Sequence, residues 1–224
     1  MRTMPQSRIT ESGVFFGKSM HTQFEINIFE DIKRLPMSKI ILCMHTTLDG
    51  FVAGPKGEMD WISLSAEMFD FVGKLTDHAN TALYGRVTYQ MMDSYWPTAG
   101  DQPKASKHDI EHSEWYNRVT KVVLSRSMKN EKRERTKFVG DNVLEEITKL
   151  KQNATGDILI FGSPSASHTL MALDLMDDYW LFVNPVLLGQ GIPLFDKIKE
   201  RMPLHLLETK VFSDVVGLHY ERKR

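Results

Sequence analysis

Three features of this 224-residue sequence predict an α/β fold with a mostly parallel central sheet. Short apolar runs alternate with stretches of helical periodicity, and strands that alternate with helices usually form parallel sheets. Turn sequences rich in glycine, serine and arginine follow the apolar runs. The last two apolar runs, residues 204–212 and 215–220, are joined only by Ser213 and Asp214. That spacing predicts an antiparallel hairpin at one edge of the sheet, with helices flanking the rest.

The overall composition excludes several functional classes. The chain carries a formal net charge of −1, whereas nucleic-acid binding requires a concentrated basic face. No apolar run approaches the ~20 residues that cross a bilayer, and the first residues lack the apolar core of a signal peptide. The single cysteine, Cys43, excludes an internal disulfide and fits a reducing compartment. We therefore expect a cytoplasmic protein whose partner is a small molecule, with no nucleic-acid or membrane partner.

Residues 1–37 differ from the rest of the chain. They are mixed in composition and weakly periodic, and Leu35 and Pro36 stand just before Met37. We expect an N-terminal extension there and a folded domain over residues 38–224. The extension is interpreted either as a regulatory or targeting arm or, preferably, as the product of an over-long gene prediction. Its acidic residues are untypical of a mitochondrial transit peptide.

The run at residues 39–45 predicts a buried strand. Residues 40–44 are all apolar, but they are too few for an independent helix, and turn residues follow at once. The strand opens into a long loop in which Asp49, Gly50 and residues 54–57 supply turns and a backbone that a ligand can approach closely. We therefore expect chemistry at this opening.

The following segments continue the alternation of strand and helix. Residues 64–79 predict an amphipathic helix capped by Ser63 or Ser65, with Glu67 and Asp70 on its polar face. The aromatic residues and proline at 95–97 predict a helix break, and the polar residues 99–116 predict a surface loop with one helical turn. Further strands are predicted at residues 81–84, 121–124, 157–161 and 178–183, and further helices at 87–92, 142–151 and 165–173.

Polar clusters follow four of the predicted strands. In open α/β sheets, ligands bind beyond the carboxyl ends of the strands, so repeated clusters there are more informative than any single one. Each cluster by itself is typical of an ordinary turn, but together they fit an anionic dinucleotide, because helix N-termini and arginine bind phosphates. No G-x-G-x-x-G follows a strand, which excludes an ordinary Rossmann fingerprint. The four clusters are residues 46–57, 85–88, 125–127 and 162–165.

Five segments, in order along the chain, resemble the dihydrofolate-reductase-like family that includes the riboflavin-biosynthesis reductase domain. They are TLDGFVAGPKGEMDW (residues 47–61), LYGRVTY (83–89), VVLSRS (122–127), ILIFGS (158–163) and PVLLGQGIPLF (185–195). The resemblance covers residues 38–224. It implies a dihydrofolate-reductase-like fold with a central sheet of about eight strands, NADPH as the cofactor, and a homodimer.

The resemblance also implies roles for individual residues. Asp49 matches an aspartate beside the active site, and Trp61 matches a tryptophan on the substrate side. Many relatives have paired glycines at the pyrophosphate turn, and Ser163 departs from that pattern. The matches to cofactor-binding segments are Gly85, Arg86 and Thr88 at a phosphate turn, Ser125, Arg126 and Ser127 near the adenosine 2′-phosphate, Gly162 and Ser163 at the pyrophosphate turn, and Val52, Ala53 and Gly54 in the mobile loop that covers the nicotinamide.

The proton donor has three catalytic candidates, Asp49, Glu67 and Asp70. Hydride transfer to a C=N or C=O group requires a proton from a carboxyl group or from water held by one. Folate enzymes keep an acid on the first helix, where Glu67 and Asp70 lie, but an exposed acidic helix face is the favoured alternative for both. Asp49 is alternatively an Asx-turn residue that prepares Gly50.

The resemblance implies an NADPH-dependent reductase that transfers hydride to a pterin- or pyrimidine-type heterocycle, similar to the 5-amino-6-(5-phosphoribosylamino)uracil reductase of riboflavin biosynthesis. Dihydrofolate reduction is the first alternative, and a non-catalytic nucleotide-binding protein on the same fold is the second. The riboflavin enzymes bind a ribose phosphate through basic side chains after the first helix. Residues 89–97 do not reproduce that pattern.

One segment has the spacing of a zinc site. His108, Glu111 and His112 fit the pattern H-x-x-E-H, which puts two imidazoles on one helical face. The neighbouring residues are rich in lysine and acid, and no third ligand is evident. We therefore expect an exposed helix here and no metal.

Overall fold

The computed structural model describes residues 37–196 and 198–224. Apart from Met37, the expected N-terminal extension lies outside the described residues. Within them, strands and helices alternate as predicted, and the chain closes with a hairpin. None of the described helices is long and apolar enough to span a lipid bilayer.

Ten strands and five helices make up the described part of the chain. The strands are β1 (Ile40–Thr47), β2 (Phe51–Ala53), β3 (Ala79–Gly85), β4 (Thr120–Leu124), β5 (Thr136–Val139), β6 (Asp157–Phe161), β7 (Asp178–Asn184), β8 (Ile192–Pro193), β9 (Leu204–Phe212) and β10 (Val215–Arg222). The helices are α1 (Ala66–Asp77), α2 (Arg86–Ala99), α3 (Lys107–Arg118), α4 (Val143–Asn153) and α5 (Pro164–Ala172).

Eight strands form one sheet in the order β5-β4-β3-β6-β1-β7-β10-β9, and β2 pairs with β8 in a separate small sheet. Neighbouring strands from β5 to β7 are parallel. Strand β10 is antiparallel to both of its neighbours, β7 and β9. The predicted fold class is therefore confirmed, including the antiparallel hairpin at the edge. Because the six strands from β5 to β7 are parallel, their carboxyl ends all meet at one edge of the sheet.

Strand β1 lies at the centre of the sheet, between β6 and β7. Its side chains alternate between the two faces, as they must in a strand. Leu42 and Met44 pack with α4 and α5 on one face, whereas Ile41 and Cys43 pack with α1, α2 and α3 on the other. Both faces are covered by helices, which explains why this strand reads as a continuous apolar run.

The structure corrects two expectations between β3 and β4. Helix α2 does not break at residues 95–97 but continues through Pro97 to Ala99, because a proline so close to the helix end disrupts only the last turn. Most of the predicted surface loop 99–116 is helix α3 instead. Ser106 and Asp109 form a reciprocal capping box at its start, and that local signal favours helix over loop.

A buried ion pair stabilises the amino edge of the sheet, opposite the predicted site. The Lys151 ammonium, at the end of α4, lies 2.5 Å from the carboxylate of Asp177, and their side chains are 6% and 12% exposed. Asp177 also accepts a hydrogen bond from the backbone N–H of Ile40 at 2.8 Å and pairs with Arg224. These contacts connect α4, β1, β7 and the C-terminal residues.

Candidate cofactor and substrate site

The sheet order brings the four predicted polar clusters to one edge. The ends of β4, β3, β6 and β1 are adjacent there, because these strands are consecutive neighbours in a parallel arrangement. The cluster after each strand is therefore next to the cluster after the following one. A crevice beyond the carboxyl ends of parallel strands is where α/β proteins bind their ligands.

The turns after β3 and β6 are joined by one hydrogen bond. The backbone N–H of Gly85 donates to the hydroxyl of Ser163 at 2.9 Å. A Cβ on Gly85 would lie 3.0 Å from the hydroxyl of Ser165, so the two turns pack closely at this point. Ser163 therefore takes a specific role in this turn, where the family resemblance implied a second glycine.

The turn after β6 has an uncommon backbone conformation. Gly162 and Ser163 both have positive φ angles, of 64° and 57°, and every peptide bond in the described residues is trans. Successive residues of this kind can direct their N–H groups toward one point and form an anion-binding concavity. Ser163 is only 2% exposed, so the packing around the side chain stabilises a conformation that is rare for residues other than glycine.

Two helices begin at the turns after β3 and β6. Helix α2 begins after Gly85 and α5 begins after Ser163, and neither N-terminus has a side-chain cap. Uncapped N–H groups and the positive end of the helix dipole attract phosphate. Arg86 is exposed, and its guanidinium donates to the side chain of Gln90 at 3.0 Å. Thr88 lies beside Gly162, since its methyl group is 3.8 Å from the position of a Cβ built on that glycine.

The turn after β4 holds an arginine that is free to bind a ligand. The hydroxyls of Ser125 and Ser127 are 3.2 Å apart, and Ser125 also accepts from the backbone N–H of Met128. These contacts fix the turn. Arg126 is exposed and forms no hydrogen bond or ion pair with the described residues. An arginine on a rigid turn is suited to bidentate contact with a phosphate group.

Asp49 connects the loop after β1 to a distant turn. Its carboxylate accepts hydrogen bonds from the hydroxyl of Thr47 at 2.5 Å and from the backbone N–H groups of Leu188 and Gly189 at 3.2 and 2.8 Å. The bonds from Thr47 and Gly189 lower the pKa of Asp49. A carboxyl group with a lowered pKa is ionised near neutral pH and has no proton to donate, so these contacts favour the turn-forming role.

The segment expected to cover the nicotinamide is part of the small sheet. Val52 and Ala53 lie in β2, which pairs with β8, and they are only 5% and 7% exposed. The backbone N–H of Gly54 donates to the carbonyl oxygen of Glu58 at 2.8 Å. The indole N–H of Trp61 donates to the same carbonyl oxygen at 3.2 Å. The loop from β1 to α1 is thus ordered by its own hydrogen bonds.

The acidic residues of α1 lie on an exposed helix face. The helix begins at Ala66 and is capped by Ser65, and Glu67 and Asp70 are both exposed. Asp70 forms an ion pair with Lys107 of α3 at 2.8 Å, and that hydrogen bond lowers its pKa. It belongs to a charged groove of about 400 Å³ between α1 and α3. These surroundings favour the solvated-face interpretation of both residues.

His45 is a residue of this edge that sequence reasoning did not select. It lies near the end of β1, partly exposed, and it faces Phe182 across the strand pair. Burial lowers the pKa of His45 to about 4, which keeps the imidazole neutral. Its position in the sequence could have identified it, because side chains alternate along a strand and His45 therefore lies on the same face as Ile41 and Cys43, near the end of β1.

The histidines of α3 are not the exposed residues that we expected. His112 is 8% exposed and lies between Trp96 and Trp115, with ring centres 4.1 and 5.0 Å away. His108 stacks on Phe69 at 3.9 Å. The helix face that carries His108 and His112 packs against α1 and α2, so it contributes to the core. Among the described residues, no group of three or more histidine, cysteine, aspartate or glutamate side chains could hold a metal ion.

Two comparisons with known structures test the fold. A protein assigned to riboflavin biosynthesis in Shewanella sp. PV-4 matches with a TM-score of 0.62 and 22% identity, over 84% of this chain and 100% of that chain. Dihydrofolate reductase from Enterococcus faecalis, solved with NADP(H), matches with a TM-score of 0.56 and 18% identity, over 83% of this chain and 97% of that chain. The dihydrofolate-reductase-like fold is thereby confirmed.

Sequence comparisons identify the family. The uncharacterized protein YyaP of Bacillus subtilis (strain 168) is 37% identical over 186 residues, which cover 81% of this chain and 93% of YyaP. The family model of the RibD C-terminal domain matches residues 38–219, a range that includes all the described strand-end clusters. The chain therefore belongs to the RibD C-terminal domain family.

Proposed function

We propose that this protein is an NADPH-dependent reductase that transfers hydride to a pterin- or pyrimidine-type heterocycle, in a reaction similar to that of 5-amino-6-(5-phosphoribosylamino)uracil reductase. The observation that carries this proposal is the hydrogen bond between Ser163 and Gly85. It joins two uncapped helix N-termini at neighbouring strand ends. Together they offer one diphosphate two sets of N–H donors.

The adenosine end of the cofactor is assigned to the turn after β4. Strand β4 is the neighbour of β3, so Ser125, Arg126 and Ser127 lie beside the proposed diphosphate site. A 2′-phosphate distinguishes NADPH from NADH, and Arg126 can bind it through two parallel N–H donors. The two serine hydroxyls supply further donors at the same turn.

The nicotinamide end is assigned to the opening of β1, on the other side of β6. When bound there, NADPH supplies the hydride. Asp49 holds the loop that closes over this end, because its carboxylate bridges Thr47 and the turn at residues 188–189. Since all its hydrogen bonds stabilise the ionised form, we assign proton delivery to water at the crevice and loop positioning to Asp49.

The relatives support the hydride-transfer reaction over simple nucleotide binding. The Enterococcus faecalis protein with the same fold is a dihydrofolate reductase that binds NADP(H). The matched family takes its name from RibD, and a Thermotoga maritima structure with a TM-score of 0.61 is named as a deaminase and 5-amino-6-(5-phosphoribosylamino)uracil reductase. A heterocycle related to both substrates accounts for these likenesses.

Titration with NADPH and NADH tests the cofactor assignment. We expect Arg126→Ala to weaken NADPH binding about tenfold or more, the loss expected for a charge-assisted contact, and to leave NADH binding nearly unchanged. Arg118→Ala is the matched control, because Arg118 is an exposed arginine in the groove between α1 and α3. Equal weakening of both cofactors by Arg126→Ala would contradict the 2′-phosphate assignment.

Turnover assays test the reaction itself. We expect NADPH absorbance to fall when a pyrimidine or pterin substrate is added to the wild-type protein. Oxidation with dihydrofolate alone would favour the dihydrofolate reductase alternative. Tight NADPH binding without oxidation by any heterocycle would favour the non-catalytic alternative.

We further propose that two copies of the chain associate through β9. This strand is at the edge of the sheet, and Leu206, Leu207 and Val211 are 45%, 44% and 65% exposed along it. A long apolar edge strand with free backbone groups is suited to pair with another chain. We expect the wild-type protein to sediment as a dimer and Val211→Lys to sediment as a monomer. A monomeric wild-type protein at micromolar concentration would refute this assembly.

A further inference from the structure

His45 is held in one orientation by β7. The ring packs on Phe182, its register partner across the strand pair, with ring centres 5.1 Å apart. Two residues further along β7, Asn184 reaches the Nδ1 atom of the imidazole at 3.2 Å. Cross-strand and diagonal neighbours of this kind restrict a side chain on both sides.

The orientation of the Asn184 amide follows from its backbone partners. Asn184 is fully buried. Its Oδ1 accepts from the backbone N–H of Ser63 at 2.9 Å, and its Nδ2 lies 3.0 and 3.3 Å from the carbonyl oxygens of Phe182 and Thr46. A backbone N–H only donates and a carbonyl only accepts, so these contacts exclude the flipped amide.

This orientation favours one tautomer of His45. The Nδ2 group of Asn184 only donates, and it shares its two hydrogens among Nδ1 of His45 and the carbonyl oxygens of Phe182 and Thr46. An N–H on Nδ1 would face this donor without an acceptor, so the favoured neutral imidazole carries its proton on Nε2. No described residue hydrogen bonds to Nε2, and the ring remains partly exposed at the strand end. An uncharged N–H donor is thus presented at the opening of β1.

We propose that the Nε2–H of His45 binds a carbonyl oxygen or an unprotonated ring nitrogen of the heterocyclic substrate and selects for substrates that carry such an acceptor. The inference rests on the proposed function, which assigns the reacting end of the cofactor to the opening of β1. A donor at this point orients the ring for hydride transfer. It also rejects rings without an acceptor, because the Nε2–H of His45 would then be buried without a hydrogen-bond partner.

Two substitutions and two ligands test this role. The probes are pterin and lumazine, whose fused rings carry carbonyl oxygens, titrated into the protein saturated with NADPH. We expect His45→Leu to weaken binding of at least one probe about tenfold, the effect of one lost hydrogen bond. His45→Gln should restore most of that affinity, because its amide nitrogen can reach the position of Nε2. NADPH affinity should be unchanged in both variants, which separates this result from a general loss of folding.

The tautomer provides an independent readout. In wild-type protein labelled with nitrogen-15 at histidine, we expect His45 to show an unprotonated Nδ1 and a protonated Nε2. The opposite tautomer, or wild-type probe affinity in His45→Leu, would refute the proposal. Failure of the wild-type protein to bind either probe while it binds NADPH would also refute it, but would leave the cofactor assignment intact. Failure to bind NADPH would instead contradict the proposed function.

Discussion

The hydroxyl of Ser163 accepts a hydrogen bond from the backbone N–H of Gly85, 78 residues earlier in the chain. This hydrogen bond joins the turns after β3 and β6 beside the N-termini of α2 and α5, where we propose that the cofactor diphosphate binds. The left-handed conformation of Ser163 directs its hydroxyl at Gly85 rather than at its own helix, which has no side-chain cap.

Removal of this hydroxyl should destabilise the protein. Ser163→Ala leaves the buried N–H of Gly85 without a partner, which costs about 1–3 kcal/mol. Ser163→Gly loses the same bond but relieves the left-handed backbone by ~1 kcal/mol, so it should be the milder change in urea unfolding. Ser165→Ala is the control, because that side chain is exposed. Equal stability of Ser163→Ala and the wild-type protein would contradict the role of this bond.

Substitution of Asp49 distinguishes loop positioning from proton donation. We expect Asp49→Asn to lower kcat/KM, because the amide cannot accept from Thr47, Leu188 and Gly189 together. The shape of the pH profile should be unchanged. The pKa of Asp49 is lowered in the folded protein. Its contribution to stability is therefore complete when the pH is above the ordinary pKa of an aspartate, and it is lost as the pH falls through the lowered pKa of the folded state. Disappearance of one limb of the profile in the variant would instead assign proton transfer to Asp49.

The ion pair at the amino edge should contribute to stability but not to cofactor binding. Lys151→Met leaves the buried carboxylate of Asp177 with only Arg224 and the N–H of Ile40, and we expect a loss of about 3 kcal/mol in unfolding free energy. Lys149→Met is a matched control, since Lys149 forms an exposed pair with Glu145, and exposed pairs contribute little to stability. The dissociation constant for NADPH should be the same in both variants.

Buried His112 should make the protein sensitive to acid. Burial lowers its pKa to about 3, so between pH 6.5 and 3 the unfolded chain binds a proton that the folded chain does not. The free energy of unfolding should therefore decrease by roughly 2 kcal/mol from this residue between pH 7 and 5. His112→Phe should remove this decrease in the free energy of unfolding and leave the decrease that His45 causes. His205→Phe, at an exposed site, should leave the pH dependence as it is in the wild type.

Several features follow from the sequence alone because they depend on local chemistry. Apolar runs bounded by turn residues located the strands at residues 39–45 and 157–161, which the structure extends or reproduces. Two residues between two apolar runs located the hairpin around Ser213 and Asp214. The five matching segments identified the family, since their order along the chain is itself sequence information.

Local chemistry also has a limit, which the segment between β3 and β4 illustrates. Charged and polar residues at 99–116 suggested a solvated loop, yet α3 buries His112 between two tryptophans. The polar residues form one face of this helix and the imidazole and indole rings form the other. Which face is buried depends on the presence of α1 and α2 beside it, and no window of neighbouring residues contains that information.

The sequence therefore determined the strands, the polar turns and the family, whereas the tertiary structure decided which side chains meet. The strand order places β1 between β6 and β7, although β1 is far from both along the chain. That order brings Asp49 to the turn at residues 188–189, and it brings Asn184 to His45. The role of each residue depends on a hydrogen-bond partner about 140 positions away. Such pairs form only when the strands that carry them are aligned by the burial of both faces of the sheet.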